Sequence, residues 1–277
     1  MPDTTEIQVP STEEKAGGIR HWISRLRSYF FWDPLIWIYT IILGSLSLLS
    51  SFFDRDGHIQ HNFAQLWSRI ILGTIGASIH VEGLEKIDTG KAHVYVVNHL
   101  SALDIPVVYS RLPFQFRILA KKGLFHYPFM GWHLRRSGQI PVDRDNVRMS
   151  LRGLQRGVAG LKQNMSIVVF PEGGRSQNGQ LQEFMSGAFY LAIKAHVDVV
   201  PMALIGTYEM LPMNTWHIKP RPIYLVVGEP ISTAGMTSRD IDALSQKTRN
   251  VIADIYYSRS SLPDLRHQHL EGKEAGK

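Results

Sequence analysis

His99 and Asp104 stand five residues apart in Asn98-His99-Leu100-Ser101-Ala102-Leu103-Asp104, directly after the apolar run Ala92–Val97. Ser101 reads as a helix N-cap, which puts His99 just before a helix and Asp104 about one turn inside it. A carboxylate so placed can bond one ring nitrogen, fix the tautomer, stabilise the imidazolium and leave the other nitrogen as a base. That is two members of a triad, with the nucleophile left to the substrate. The same residues also read as a capping box with Asp in place of Glu, and His99 as a surface loop residue. A single base–orienter pair does not decide between them.

Three further segments carry chemistry. In Phe170-Pro171-Glu172-Gly173-Gly174-Arg175-Ser176, Gly173 and Gly174 let the backbone approach a ligand closely. Arg175 there offers a planar fork that matches a phosphate, unless the segment is only a tight turn with a solvated arginine. Lys121 and Lys122 bring two ammonium groups to the end of the run Phe116–Ala120, where solvation is their ordinary fate. Gly138-Gln139-Ile140-Pro141-Val142-Asp143-Arg144 would add a cation through Arg144, and an Asp143–Arg144 surface turn explains it nearly as well.

These segments need strands to hold them. Short apolar runs predict strands at Ala92–Val97, Phe116–Ala120, Gln139–Val142, Ser166–Phe170, Asp198–Leu204 and Ile223–Val227. Between them Asn146 can cap a helix carrying Leu151, Leu154 and Val158, and Ser238 another carrying Ile241, Leu244 and Ile252. The alternation argues an α/β fold, a mostly parallel sheet flanked by helices. Each chemical segment then falls at or beside a strand end, where open α/β sheets place their sites.

The chain is 277 residues long, enough for a full core, and 44% of it is hydrophobic. It has no cysteine, which excludes disulfides, a thiolate nucleophile and a cysteine-built zinc site. The sparse Glu/His spacing offers no metal-ligand set. A formal charge of +6 admits anionic lipid, nucleic acid or an acidic small molecule as partner. The basic residues are dispersed and no nucleic-acid-binding signature is present, so a membrane surface is the better reading and nucleic acid is not expected.

Residues 1–18 are polar and read as disordered. From Arg20, Trp22, Ile23, Leu26, Tyr29 and Phe30 recur at helical spacing with basic residues opposite, which suits a bilayer interface. Pro34–Phe53 then runs without a charge for twenty residues, about 30 Å of helix and long enough to span. Gly44 and four serines moderate that run. Arginines before it favour a cytoplasmic N-terminus. A second apolar stripe, from Phe63 through Ile75, would let two helices enter and leave one leaflet, so residues 19–79 are expected to associate with the membrane. The α/β domain is expected over 80–260 and a polar tail over 261–277.

Taken together the blocks NHLSALD, GQIPVDR, FPEGGRS and VVPMALIG, with KKGLFHYPFMGW from Lys121 to Trp132, resemble those of the glycerophospholipid acyltransferases, above all the 1-acyl-sn-glycerol-3-phosphate acyltransferases. They occur in family order over about Val81 to Gly228. Gly174 departs from the family, which usually has Thr there. The resemblance implies that His99 is the general base and Asp104 its orienter. It also implies that Arg175, Lys121 or Lys122, with Glu172, Gly173 and Arg144 nearby, bind a lysophospholipid acceptor. The donor would be acyl-CoA or acyl-carrier protein, a co-substrate rather than a cofactor. Backbone N–H groups near the helix start after Leu100 are candidates for holding the oxyanion. A cytoplasmic donor and a membrane acceptor imply a monotopic protein on the cytoplasmic face. Other acceptors (another lysophospholipid, glycerol-3-phosphate, a lyso-ornithine lipid), a hydrolase that passes the acyl group to water, and a silent lipid-binding protein remain alternatives.

Overall fold

The computed structural model describes residues 19–54, 56–143 and 147–264, so the polar N-terminus, Arg144, Asn146 and the last thirteen residues lie outside the described residues. Among the described residues seven strands form one sheet: β1 (Ile79–Glu82), β2 (Val94–Val97), β3 (Phe116–Lys121), β4 (Ile140–Val142), β5 (Ser166–Val169), β6 (Val199–Ile205) and β7 (Ile223–Val227). Their spatial order is β1-β7-β6-β2-β5-β3-β4. The pairs β6–β2, β2–β5, β5–β3 and β3–β4 are all parallel. Six strands lie within two residues of the expected ones. The exception is β1, a half-exposed edge strand whose Ile-His-Val-Glu alternation is only four residues long.

Helices cover both faces, which is why all four residues of β2 are buried. Val94 and Val96 point into a core built with α6 (Val147–Lys162), α7 (Gly187–Ala195) and α9 (Ile241–Tyr257). Tyr95 and Val97 point the other way, against α3 (His58–Thr74) and α4 (Asp104–Arg111). The period of two along the strand thus divides one apolar run between two cores. The sheet is mixed rather than wholly parallel, because β7 pairs antiparallel with β6. Between them lies only the short α8 (Thr207–Met210), not the long crossover helix that a parallel return would use. A 3-10 turn, Ser238–Asp240, leads into α9; Thr237, not Ser238, supplies the capping hydroxyl of that turn, with Asp240 completing a capping box, and α9 itself starts at Ile241.

The N-terminal segment is one continuous helical rod: α1 (Ile19–Arg27), a π-turn at Ser28–Trp32 and α2 (Asp33–Ser50). Pro34 lacks an N–H for the regular ladder, and the π-turn just ahead of it takes up the irregularity. The stretch Trp22–Ser50 is long and apolar enough to cross a membrane. Its hydroxyls lie along one seam and hold it to the domain. Ser24 Oγ meets His217 Nε2 at 2.9 Å, Ser28 Oγ accepts from the Ile218 N–H at 3.2 Å, and Trp32 is buried. Further along, Thr40 Oγ1 accepts from Trp67 Nε1 at 2.9 Å and Ser47 Oγ meets His133 Nδ1 at 2.9 Å. The His133 ring lies on α5 (Met130–Arg136), and burial pulls its pKa below the ordinary histidine value. The other side of the rod exposes Trp22, Leu26, Phe30, Trp37, Ile41 and Leu49. The stripe from Phe63 to Ile75 lies on α3 and its C-cap. Ile71 and Ile75, with the neighbouring Leu72, are buried in the domain, and Leu66 is exposed.

Candidate active site

The strand after which a chain leaves the sheet decides where a crevice opens. The chain leaves β2 toward α4 on one face and leaves the adjacent β5 toward α7 on the other. That divergence makes the gap between the ends of β2 and β5 the topological switch point of the sheet. His99 lies at the end of β2, and the Phe170–Ser176 loop lies at the end of β5.

Asp104 Oδ2 stands 2.8 Å from His99 Nδ1 and also accepts the backbone N–H groups of Leu100 at 2.6 Å and Ser101 at 2.8 Å. A carboxylate oxygen can only accept here, so it fixes the proton on Nδ1 and leaves Nε2 with its lone pair. No hydrogen bond engages Nε2 among the described residues. Asp104 is fully buried while the His99 ring keeps partial exposure. The expected placement of Asp104 one turn inside the helix is corrected: it is the first residue of α4. Ser101 stands before the helix, its Oγ accepting from the Leu103 N–H at 3.3 Å and donating to the Leu211 carbonyl at 2.8 Å. The capping and orienting readings of Asp104 therefore describe one geometry, since a single oxygen serves both the turn and the imidazole. The Leu100 and Ser101 N–H groups of this turn are engaged by Asp104.

Glu172 supports the histidine from the neighbouring strand. Its Oε1 accepts the His99 backbone N–H at 2.9 Å and its Oε2 the Gln182 N–H at 3.1 Å. Burial pushes its pKa up to about 8, against the opposing pull of those two donors. The Ser176 N–H donates to the His99 carbonyl at 2.9 Å, so the β5 loop grips both sides of the histidine backbone. Phe170 packs on the ring with centroids 4.5 Å apart. Gly173 takes a left-handed φ of 68°, which lets the loop turn back tightly after Glu172. Glu172 was expected to contact the glycerol or shape the loop around Arg175; its two oxygens accept hydrogen bonds from the His99 and Gln182 backbone.

Arg175 is partly exposed on this loop and forms no hydrogen bond or ion pair with a described residue. Lys121 ends β3, one strand beyond β5, and is exposed. Lys122 is held differently, with Nζ 3.4 Å from Asp143 Oδ2 at the end of β4. The four segments thus do share the C-terminal edge of β2, β5, β3 and β4, in that spatial order. Sequence reasoning missed Asn98, whose amide brackets Leu204 on β6, accepting its N–H at 2.7 Å and donating to its carbonyl at 2.9 Å. An asparagine closing an apolar strand next to a candidate base was the available signal. It also missed Gln182 as a partner of Glu172, which nothing local indicates.

An acyltransferase family model matches residues 78–205. The chain is 34% identical over 239 residues to a chloroplastic 1-acyl-sn-glycerol-3-phosphate acyltransferase of Arabidopsis thaliana, covering 83% of this chain and 65% of that relative, just under two thirds of its length. It is 32% identical to the chloroplastic 1-acyl-sn-glycerol-3-phosphate acyltransferase BAT2 of Brassica napus, covering 91% of this chain and 71% of that one. Among solved structures it is similar to the 1-acyl-sn-glycerophosphate acyltransferase PlsC of Thermotoga maritima. The TM-score is 0.68 at 25% identity, over 86% of this chain and 96% of that one.

Proposed function

This chain belongs to the 1-acyl-sn-glycerol-3-phosphate acyltransferase family, and from that premise we propose that it transfers a fatty acyl group from acyl-CoA or acyl-carrier protein to the free hydroxyl of 1-acyl-sn-glycerol-3-phosphate, giving phosphatidic acid. The observation that carries the mechanism is the His99–Asp104 pair at the switch point, with Nε2 unengaged among the described residues. His99 Nε2 takes the proton of the acceptor hydroxyl as the oxygen attacks the thioester carbonyl. The buried Asp104 carboxylate stabilises the imidazolium that forms. Collapse of the tetrahedral intermediate expels the thiolate, which regains a proton from the imidazolium, so no acyl-enzyme is formed. Arg175, with Lys121 across the β5–β3 gap, holds the acceptor phosphate; the fork of Arg175 and its lack of a partner among the described residues support this. Lys122 is shared with Asp143 and contributes less. Glu172 acts through the His99 backbone and is a positioning residue.

The rod α1–α2 supports a bilayer location for this chemistry. Its seam touches the domain from Ser24 to Ser47, about 35 Å of helix at 1.5 Å per residue. A rod held along that length cannot cross a bilayer without drawing the domain in with it. It lies in one leaflet instead, its apolar side to lipid, and the protein is monotopic on the cytoplasmic face, where the donor is found. The test is a screen of purified protein in mixed micelles, with acyl-CoA and acyl-carrier protein as donors and lysophosphatidate, other lysophospholipids and glycerol-3-phosphate as acceptors. Phosphatidic acid should be the fastest product. Release of free fatty acid without phospholipid would make the protein a hydrolase.

A further inference from the structure

A cavity of about 750 Å³ runs along the β4 edge of the sheet, from Lys122 after β3 to Arg117, Gly138 and Met165 near the N-terminal ends of β3, β4 and β5. Arg117 of β3, Lys122 and His126 after it, Arg135 of α5 and Arg156 of α6 converge on it. Asp56 is the one acidic residue among its described lining. Arg135, Arg156 and His126 form no ion pair with a described residue. Arg117 is set more deeply. Its Nη2 donates to the Asp56 carbonyl, while its Nη1 is buried with no partner.

The seat of Arg117 is built from two turns. Gly138 (φ 72°) and Gly57 (φ 74°) press their backbones on the guanidinium, so that a Cβ at Gly138 would lie 2.9 Å from Nε and one at Gly57 3.2 Å from Nη2. Burial pulls the pKa of this arginine below its ordinary value, the cost of holding a cation where water is scarce. Like charges gathered around one cavity repel. Lys122 is paired with Asp143 and Arg117 feels Asp54 and Asp56, while Arg135 and Arg156 have no ion-pair partner among the described residues. A volume of this size is that of a small-molecule site, and cations on three separate walls suit a ligand with more than one phosphate. The acceptor has a single phosphate, already met by Arg175 and Lys121.

We propose that this cavity is a second anion site, which seats the phosphorylated nucleotide end of a CoA thioester donor while the thioester reaches His99. The Lys122 end of the cavity stands at the same edge of the sheet as His99, two strand spacings from β2, roughly 10 Å, a gap that the extended pantetheine arm bridges. The assignment rests on the acyl-transfer reading above for its donor, though not for its anion.

The test uses the full-length protein and the double variant R135Q/R156Q, two exposed positions whose loss does not threaten the core. Adenosine 3′,5′-bisphosphate binding is followed by calorimetry, and donor and acceptor KM are measured for each protein. The wild type should bind the bisphosphate, competitively with acyl-CoA. The variant should raise donor KM about tenfold or more and leave acceptor KM in place, on the scale of losing two charge-assisted contacts. Unchanged bisphosphate binding and donor KM in the variant would overturn the site. Loss of sedimentation with phosphatidylglycerol vesicles at unchanged donor KM would reassign it to lipid headgroups and overturn the donor role. Bisphosphate binding by a protein that transfers no acyl group would overturn the transfer reading and leave the anion site standing.

Discussion

Glu172 Oε1 accepts the backbone N–H of His99 at 2.9 Å, so a carboxylate at the end of one strand fixes the main chain of a histidine at the end of its neighbour. The bond lies across the switch point of the sheet. It couples the protonation of a buried acid to the position of the candidate base, and this coupling can be measured.

Glu172 has a folded-state pKa of about 8 against an ordinary 4.5, because burial disfavours its charge. A raised folded pKa means that the folded protein holds the proton more tightly than the unfolded chain does. Stability from this group is full below about 4.5 and is lost as pH rises to about 8. Glu172→Gln keeps an oxygen for His99 but turns an N–H₂ toward the Gln182 N–H, at a cost of about 1–3 kcal/mol. Melting curves from pH 5 to 9 should show the wild type losing its margin over the variant as pH rises. Parallel curves would contradict the assignment.

His99→Ala should leave fold and membrane attachment intact and reduce transfer about 10²–10⁴-fold, the usual worth of a general base. Product formation is measured at saturating donor and acceptor. Retention of more than about a tenth of the wild-type rate on that scale would sink the role.

Asp104→Asn separates charge from hydrogen bonding. Asp104 Oδ2 carries all three hydrogen bonds, and Oδ1 is buried without a partner. An asparagine can place its oxygen at Oδ2 and its amide nitrogen at Oδ1, keeping every bond and losing only the negative charge. The variant should melt near the wild type yet lose about 10²–10⁴ in rate. Asp104→Ala, which strands the Leu100 and Ser101 N–H groups, should cost a further 1–3 kcal/mol or so of stability. If the two variants were equally unstable, the turn rather than the charge would be what Asp104 provides.

For Arg175→Lys the expected result is a raised acceptor KM, by about tenfold, with donor KM little changed. Lysine keeps the charge and loses the paired in-plane donors. Equal effects on both substrates would show that Arg175 holds the loop instead.

Membrane topology can be read from single cysteines, since the chain has none of its own. A16C, D56C and G272C suit the purpose; Gly57 does not, because its left-handed φ and contact with Arg117 leave no room for a side chain. None of the three should react with an impermeant thiol reagent until intact cells are opened. Labelling of D56C and G272C from outside, with A16C spared, would establish a true span. Detergent rather than high salt should release the protein, because apolar burial dominates attachment.

His99, Asp104, Glu172 and Arg175 stood out in the sequence because each lies just after an apolar run that had to become a strand. Local chemistry sufficed for that, and the six expected strands followed from β-branched runs bounded by polar breaks. β1 escaped because four alternating residues on an edge carry little signal, and the direction of β7 depended on how the long loop after β6 returned. The serines of the N-terminal run were legible as a weakness in its hydrophobicity. Only the packed structure turned Ser24, Ser28, Thr40 and Ser47 into a docking seam.

The sequence by itself determined which side chains could do acyl-transfer chemistry and that strand ends would present them, because periodicity and residue type act over a few neighbours. Tertiary structure decided which ends adjoin. That the β5 loop grips the His99 backbone, that one Asp104 oxygen serves both turn and ring, and that Arg117 meets Arg135 and Arg156 around one cavity all depend on strand order. Strand order is set by how two apolar faces are buried at once, a condition on the whole chain that no local segment carries.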